Sequence, residues 1–228
     1  MTEILKGVHH VDASNANSYL VEEADGSLTL VDAGMQADGK RILEYITQKM
    51  MRKPSDVKKI VLTHCHVDHI RGAAALKSAT GAKVAVHEAD ADFVSGAKKY
   101  PNPGGAIGFL FRVMSPFFSV APVEPDLRLK ENDGVGTLTV IHTPGHTPGS
   151  ISLYHKEGKV LFVGDTARFM KGRLQGPPPQ FTPDMAQARA SIERLSTIDF
   201  EVLLSGHGEA LKSKDAPQMM REMSKALT

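Results

Sequence analysis

Residues 64 to 69 read His-Cys-His-Val-Asp-His and follow the apolar run Ile60-Val61-Leu62 after the single residue Thr63. In an extended segment, residues two apart point to the same side, so His64 and His66 can chelate one ion. Asp68 and His69 fall where the chain turns and their side chains diverge, so they can face a second ion a few ångströms away. Imidazole nitrogen and carboxylate oxygen suit zinc, with bonds of about 2.0–2.2 Å. One loop cannot complete two such sites. Any fold for this chain must therefore bring other donors to this loop.

Three more donors stand where that requirement needs them. His146 lies in Thr143-Pro144-Gly145-His146-Thr147-Pro148-Gly149, a turn whose Gly and Pro residues restrict the backbone. Asp165 follows the apolar run Val160-Leu161-Phe162-Val163 and Gly164, and His207 lies in Ser205-Gly206-His207-Gly208. Each comes just past an expected strand end, where loops converge.

The hydrophobic pattern supplies those strands. Strands are expected at Ser18–Glu22 and Ser27–Val31, joined by the hairpin signal Ala24-Asp25-Gly26. More are expected at Lys59–Leu62, Lys83–Val86, Asp126–Leu129, Thr137–His142, Ser150–Tyr154, Val160–Val163 and Glu201–Leu204. Helical spacing appears over Lys40–Met51, where Ile42, Leu43, Ile46 and Met50 share a stripe. Further helices are expected at Ala73–Ala79, Glu88–Ser95, Asp184–Ser196 and Asp215–Ala226. Residues Thr166–Thr182 read as a loop. Strands and helices interleave, so the class is α/β. With 228 residues and no evident linker, the whole chain, 1–228, is expected to be one domain.

Composition narrows the functional classes. Hydrophobic residues are 41% and charged residues 23%, enough for a real core. A net charge of +1 has no basic surplus to suggest nucleic acid or an anionic membrane. One cysteine, Cys65, rules out an internal disulfide. No signal peptide is visible in the first residues, so a cytoplasmic location is expected. Alternation turns Cys65 away from the donors on either side of it. His9, His10, His87, His142 and His155 lack any partner pattern and read as ordinary histidines.

The ordered motifs resemble the metallo-β-lactamase superfamily, in the branch holding glyoxalase II-like enzymes and lactonases. The resemblance runs from Asp32 to His207. It implies a four-layer αβ/βα sandwich with two metal ions at one edge of its sheets. On that resemblance His64, His66 and His146 hold the first ion, and Asp68, His69 and His207 hold the second. Asp165 bridges the two. Asp32, in Val-Asp-Ala-Gly, supports the ligand loop without binding metal. Structural zinc sites are typically closed by four ligands and often use cysteine, so a bridged pair with seven N and O donors points to catalysis. Two divalent ions are expected, zinc first, with iron or manganese as alternatives.

The chemistry implied is hydrolysis of a small ester, lactone or thioester by a metal-bridging hydroxide, with Asp68 ligating and moving a proton. A β-lactam or a phosphoester or phosphotriester is the alternative substrate. A mononuclear iron oxidoreductase resembling persulfide dioxygenases is the alternative from another class. Only 21 residues follow His207, whereas glyoxalase II-like enzymes add a helical domain that binds glutathione, which disfavours a glutathione thioester. Acyl-homoserine lactonases place a tyrosine shortly after the bridging aspartate, where this chain has Arg168-Phe169. Two segments are candidates for the substrate pocket. Ala106–Val120 carries Phe109 and Phe111 and reads equally as a lid, core or dimer contact. Arg168–Gln180 offers Arg168, Phe169 and Arg173. The expected partner is a small molecule, and a homodimer is compatible with the sequence.

Overall fold

The apolar runs are strands covered on both faces. The computed structural model describes residues 2–11, 15–99 and 120–227. One sheet has seven strands, adjacent in chain order: β1 (Thr2–Leu5), β2 (Val8–Val11), β3 (Ser18–Glu22), β4 (Leu28–Val31), β5 (Val57–Leu62), β6 (Lys83–His87) and β7 (Leu127–Leu129). The first four are antiparallel, and β4 to β7 are parallel. The second sheet contains β8 (Gly134–Val135), β9 (Leu138–His142), β10 (Ile151–His155), β11 (Val160–Gly164), β14 (Val202–Ser205) and β15 (Leu211–Lys212). Its spatial order is β15-β14-β11-β10-β9-β8, with β11 and β14 parallel. Between them in sequence, β12 (Arg168–Met170) and β13 (Arg173–Gln175) form a separate hairpin.

Successive side chains on a strand face opposite ways, and here both directions lead into a core. Leu30, Ile60, Leu62 and Val84 pack outward against Ile42, Leu76 and Ala91. Those three come from helices α1 (Gln36–Glu44), α3 (Ala73–Thr80) and α4 (Glu88–Val94), with the one-turn α2 (Val67–Ile70) preceding α3. Val31, Val61 and Ala85 face the other way and meet Val140, Leu153, Phe162 and Leu204 between the sheets. Leu161, Val163 and Leu203 pack on the far side against Ile192, Leu195 and Met220. These belong to α5 (Met185–Leu195) and α6 (Ala216–Ala226). The result is the expected helix–sheet–sheet–helix sandwich. Phe162 is 1% exposed in the central layer, so its truncation to alanine would cost about 3–5 kcal/mol.

The structure differs from the sequence reading in several places, the short strands β8 and β15 and the one-turn α2 among them. The strands β1 and β2 at the start were not anticipated. The first helix begins at Gln36 rather than Lys40, because the Asp38 carboxylate accepts the Met35 N–H at 2.8 Å and caps it early. It continues past Glu44 as a π-helical turn, Tyr45–Lys49. The span Thr166–Thr182 is not all loop, since it holds the β12–β13 hairpin. That hairpin turns at Lys171 and Gly172, both with positive φ (52° and 72°), as a two-residue hairpin turn requires. The candidate pocket residues Phe109 and Phe111 lie outside the described residues, as does most of Ala106–Val120; Val120 itself packs against the first core. Among the described residues no helix is long and apolar enough to cross a membrane.

This topology decides where the site falls. Strands β4, β5, β9, β11 and β14 all run toward the same edge. Their exits carry Asp32, His64, the 143–149 turn, Asp165 and the His207 loop. Backbone hydrogen bonds tie these exits together: Ala33 N–H to His69 O at 2.8 Å, Ile151 N–H to Thr63 O at 2.9 Å, and Gly206 N–H to Gly164 O at 2.7 Å.

Candidate metal centre

All seven expected donors meet at this edge. Ligand atoms of His64, His66 and His146 lie within 4.8 Å of one another, as do those of Asp68, His69 and His207. A third overlapping group, His64, His69 and Asp165, joins the two triads. Asp165 spans them with both oxygens. Its Oδ1 is 3.4 Å from His69 Nε2, and its Oδ2 is 3.5 Å from His146 Nε2 and 3.3 Å from His207 Nε2. Asp68 Oδ2 is 3.2 Å from His207 Nε2 and 3.9 Å from His69 Nε2.

The donor atoms are presented by hydrogen bonds on the far side of each ring. Thr63 Oγ1 donates to Asp32 Oδ2 at 2.8 Å, so its oxygen receives His64 Nδ1–H at 3.0 Å. Thr182 Oγ1 donates to Pro178 O, so it receives His146 Nδ1–H at 3.1 Å. His207 Nδ1–H donates to Asn15 O at 2.8 Å, and His69 Nδ1–H to Asp32 Oδ2 at 2.8 Å. In each of these four rings Nε2 is left to point inward, the arrangement that fixes a ligand tautomer.

A metal pair fits this cluster. His64 Nε2, His69 Nε2 and Asp165 Oδ1 are buried and have no hydrogen-bond partner. Buried polar atoms normally find partners, so converging orphans mark a place for a cation. The backbone also makes room. A Cβ at Gly206 would lie 2.3 Å from Asp165 Oδ1 and 2.5 Å from His69 Cε1.

Burial and neighbouring charge set the protonation of the metal-free centre. Burial, reinforced by neighbouring histidines, holds His64 well below the ordinary imidazole value. Burial likewise lowers His66 to about 3 and His146 to about 4. His69 is also buried, but Asp165, Asp32 and Asp68 outweigh that and raise it well above the usual range. For His207 burial is overcome by hydrogen bonds to Asp165 and Asp68, which lift it to about 9. Burial opposes ionisation of Asp68, yet His69 and His207 bring it to about 2. Asp165 is held well below the carboxylate range in the same way, chiefly by His69 and His207 against its burial.

Asp32 sits beneath the second triad and outside all three donor groups. Its Oδ1 accepts Thr63 N–H at 2.7 Å, and its Oδ2 takes Thr63 Oγ1 and His69. Its φ of 59° lies in the left-handed region, which aspartate tolerates better than most residues. Cys65 is buried in the first core and turned away, as alternation predicts. Arg168 is half-buried, with an Nε that has no hydrogen-bond partner. Phe169 is half-buried and packs against the outer core of the second sheet, which takes its ring off the strand face that Arg168 uses. Arg173 is exposed. Of the remaining histidines, His9 bonds Tyr45 and Glu22, His10 bonds Asn17, and His87 stacks on His142 with centroids 3.9 Å apart.

Sequence reasoning missed Asp90. This residue of α4 is fully buried and receives hydrogen bonds from both loops that carry the first triad. A signal was present: Asp90 shares the buried stripe of α4 with Ala91 and Val94, an unusual place for a carboxylate.

Comparison with known proteins agrees with this geometry. A family model described as the metallo-beta-lactamase superfamily matches residues 11–207. A probable metallo-hydrolase, YflN of Bacillus subtilis strain 168, is 32% identical and aligns over 99% of this chain and 93% of its own length. A hydroxyacylglutathione hydrolase from Cereibacter sphaeroides is 30% identical over 85% of this chain and 63% of that protein. Among solved structures, a HARLDQ-motif mutant metallo-beta-lactamase from Cronobacter sakazakii superposes with a TM-score of 0.75 at 24% identity, covering 99% of this chain and 93% of that one. At that identity the likeness speaks for the fold.

Proposed function

The chain belongs to the metallo-beta-lactamase superfamily, and from that premise we propose that it is a dinuclear metal-dependent hydrolase acting on a small thioester, ester or lactone. The observation that carries this reading is the pair of triads joined by Asp165, with three buried donor atoms left without hydrogen-bond partners. His64, His66 and His146 would hold one divalent ion, Asp68, His69 and His207 the other, and Asp165 both. Nitrogen and carboxylate donors in this proportion suit zinc. When bound, two ions would polarise the scissile carbonyl and make a water acidic enough to attack near neutral pH.

The chain's own residues would do the rest. Asp68 stays ionised, so it can orient the attacking water, accept its proton and deliver that proton to the leaving group. Asp32 keeps the His69 ring in one orientation during this exchange. A depression of about 490 Å³ lined by Asn15, Met35, Gln36, Ala37 and Arg71 lies behind the His207 ring, whose Nδ1–H donates to Asn15 O, and none of the seven donors lines it. A relative named for hydrolysis of an acylated glutathione supports an acyl transfer to water.

Arg168 would bind a negative group on the substrate. Strand alternation puts it on the β12 face shared with Met170, which packs so closely on the His207 loop that a Cβ at Gly208 would strike Met170 Cγ at 2.8 Å. Its guanidinium has no carboxylate partner among the described residues, so its charge is available.

Elemental analysis of purified protein, followed by thioester, lactone, β-lactam and phosphotriester substrates, tests the proposal. Two zinc ions per chain with turnover of a thioester, ester or lactone is the expected result. One iron per chain with oxygen uptake on a persulfide would replace the hydrolase with a dioxygenase. Turnover confined to a β-lactam or phosphotriester would keep the centre and change the substrate class.

A further inference from the structure

The second triad has Asp32 beneath it. Under the first triad lies another carboxylate, also buried, that touches none of the proposed ligands. Asp90 Oδ2 accepts Cys65 N–H at 2.9 Å and Thr147 Oγ1–H at 2.7 Å, and Oδ1 accepts Gly149 N–H at 2.7 Å. Cys65 stands between His64 and His66, and Thr147 follows His146. One side chain therefore fixes the spacing between the two loops that carry all three imidazoles. The approach is tight: a Cβ at Gly149 would sit 2.5 Å from Asp90 Cγ, so only glycine allows it.

Among the described residues Asp90 forms no ion pair, and the groups that meet its carboxylate are neutral donors. Burial accordingly raises its pKa, and the bonds from Thr147, Gly149 and Cys65 oppose that rise. An apolar residue would serve the fold more cheaply in this layer, because a buried unpaired carboxylate is costly to desolvate. What the carboxylate offers is acceptors on both oxygens, and both loops present N–H donors. Asparagine has one oxygen. In either amide orientation its NH2 would face a backbone N–H: turned to Cys65 it would free the His64–His66 loop, and turned to Gly149 it would leave the His146 loop held by Thr147 alone.

We propose that Asp90 is the positioning residue of the His64–His66–His146 triad, setting the loop separation on which affinity for the first metal ion depends. The proposal rests on the reading of those histidines as a metal triad. Removal of a group that orients ligands typically costs about 10–100-fold in metal affinity. The loss should fall on one ion and spare the other, whereas a merely structural defect would weaken both.

The test is cobalt titration of metal-free wild type, Asp90→Asn, His66→Ala and His207→Ala, followed by absorption spectra and by elemental analysis. The melting temperature of each metal-free protein reports folding. Asp90→Asn is expected to bind one ion with affinity within about threefold of wild type and the other about 10–100-fold more weakly. Its spectrum should match the His66→Ala protein rather than the His207→Ala protein, and excess cobalt should restore the second equivalent. Unchanged affinity for both ions, or an equal loss at both, would overturn the proposal. A wild-type protein that takes up no ion would overturn the triad itself, and that failure is distinguishable because it precedes any effect of the variant. Should Asp90→Asn not fold, Thr147→Val removes one of the three hydrogen bonds and decides the matter by the same selective loss.

Discussion

The first triad is all histidine and the second sets Asp68 beside two histidines; they share Asp165 and sit in opposite charge states before any metal binds. In the first, His66 and His146 face one another with ring centroids 4.5 Å apart, and burial keeps both neutral. In the second, His69 and His207 are ringed by Asp32, Asp68 and Asp165 and are held positive. The first triad thus presents lone pairs ready to bind. The second presents imidazoliums already paired with carboxylates, and an ion entering there must displace protons. The lesson is that an imidazole ligand is ready to bind or not according to the carboxylates around it, ligands and supports alike.

The harshest test of the comparison removes the residue common to both halves. Asp165→Ala should lower kcat/KM by at least about 10³-fold, equivalent to about 4 kcal/mol, and weaken uptake of both ions. His66→Ala should abolish turnover comparably but cost only one ion. Steady-state kinetics with metal content per chain distinguishes the two variants. Equal metal loss in both would dissolve the division into two sites.

Asp32→Asn sharpens the comparison from the second side. Asparagine tolerates the left-handed backbone that Asp32 adopts, so the fold should persist. The His69 ring loses its anionic partner, and affinity for the second ion should fall by about 10–100-fold, more than that for the first, which feels Asp32 only through Thr63. Isothermal titration of the metal-free variant measures both constants. A larger loss at the first ion than at the second would reverse the assignment of the two triads.

A smaller effect is expected at Arg168, beyond both triads. Arg168→Gln should raise KM for an anionic substrate about tenfold, near 1.4 kcal/mol, with kcat and metal content unchanged. Comparing a charged acyl substrate with its uncharged analogue checks it. An identical change for both would remove the guanidinium from substrate binding.

The most modest prediction concerns pH and the metal-free protein. His66 and His146 titrate lower in the fold than the ordinary value of 6.5, at about 3 and 4, so the unfolded chain binds more protons between those limits. Their contribution makes the fold less stable as pH drops below 6.5. His207 titrates higher, at about 9, so its stabilisation is complete below 6.5 and is lost as pH rises through 9. Chelated protein should therefore melt a few degrees lower at both pH 5 and pH 9 than near pH 7. His66→Asn should flatten only the acid limb and His207→Asn only the alkaline limb.

Much of this was legible in advance where the signal was local. The Ile60-Val61-Leu62 run, the Ala24-Asp25-Gly26 turn and the donor-bearing exits each declare themselves within a few residues, because strand alternation and turn chemistry act at short range. The β12–β13 hairpin escaped notice because its strands are only three residues long and its turn is Lys171-Gly172 rather than Asn-Gly. Asp90 escaped because its partners Thr147 and Gly149 lie 57 and 59 residues away.

The amino-acid sequence by itself determined the donor set, the α/β class and the strand exits from which His64, His146, Asp165 and His207 project. The family resemblance implied the grouping of the donors and the support from Asp32; only the tertiary structure decided which imidazoles are neutral, that Asp32 holds Thr63 and His69 together, and that Asp90 joins the two loops of the first triad. The reason is physical. Donor chemistry and backbone alternation belong to neighbouring residues, whereas Coulomb interactions, desolvation and hydrogen bonds across loops depend on distances that exist only once the two sheets have packed.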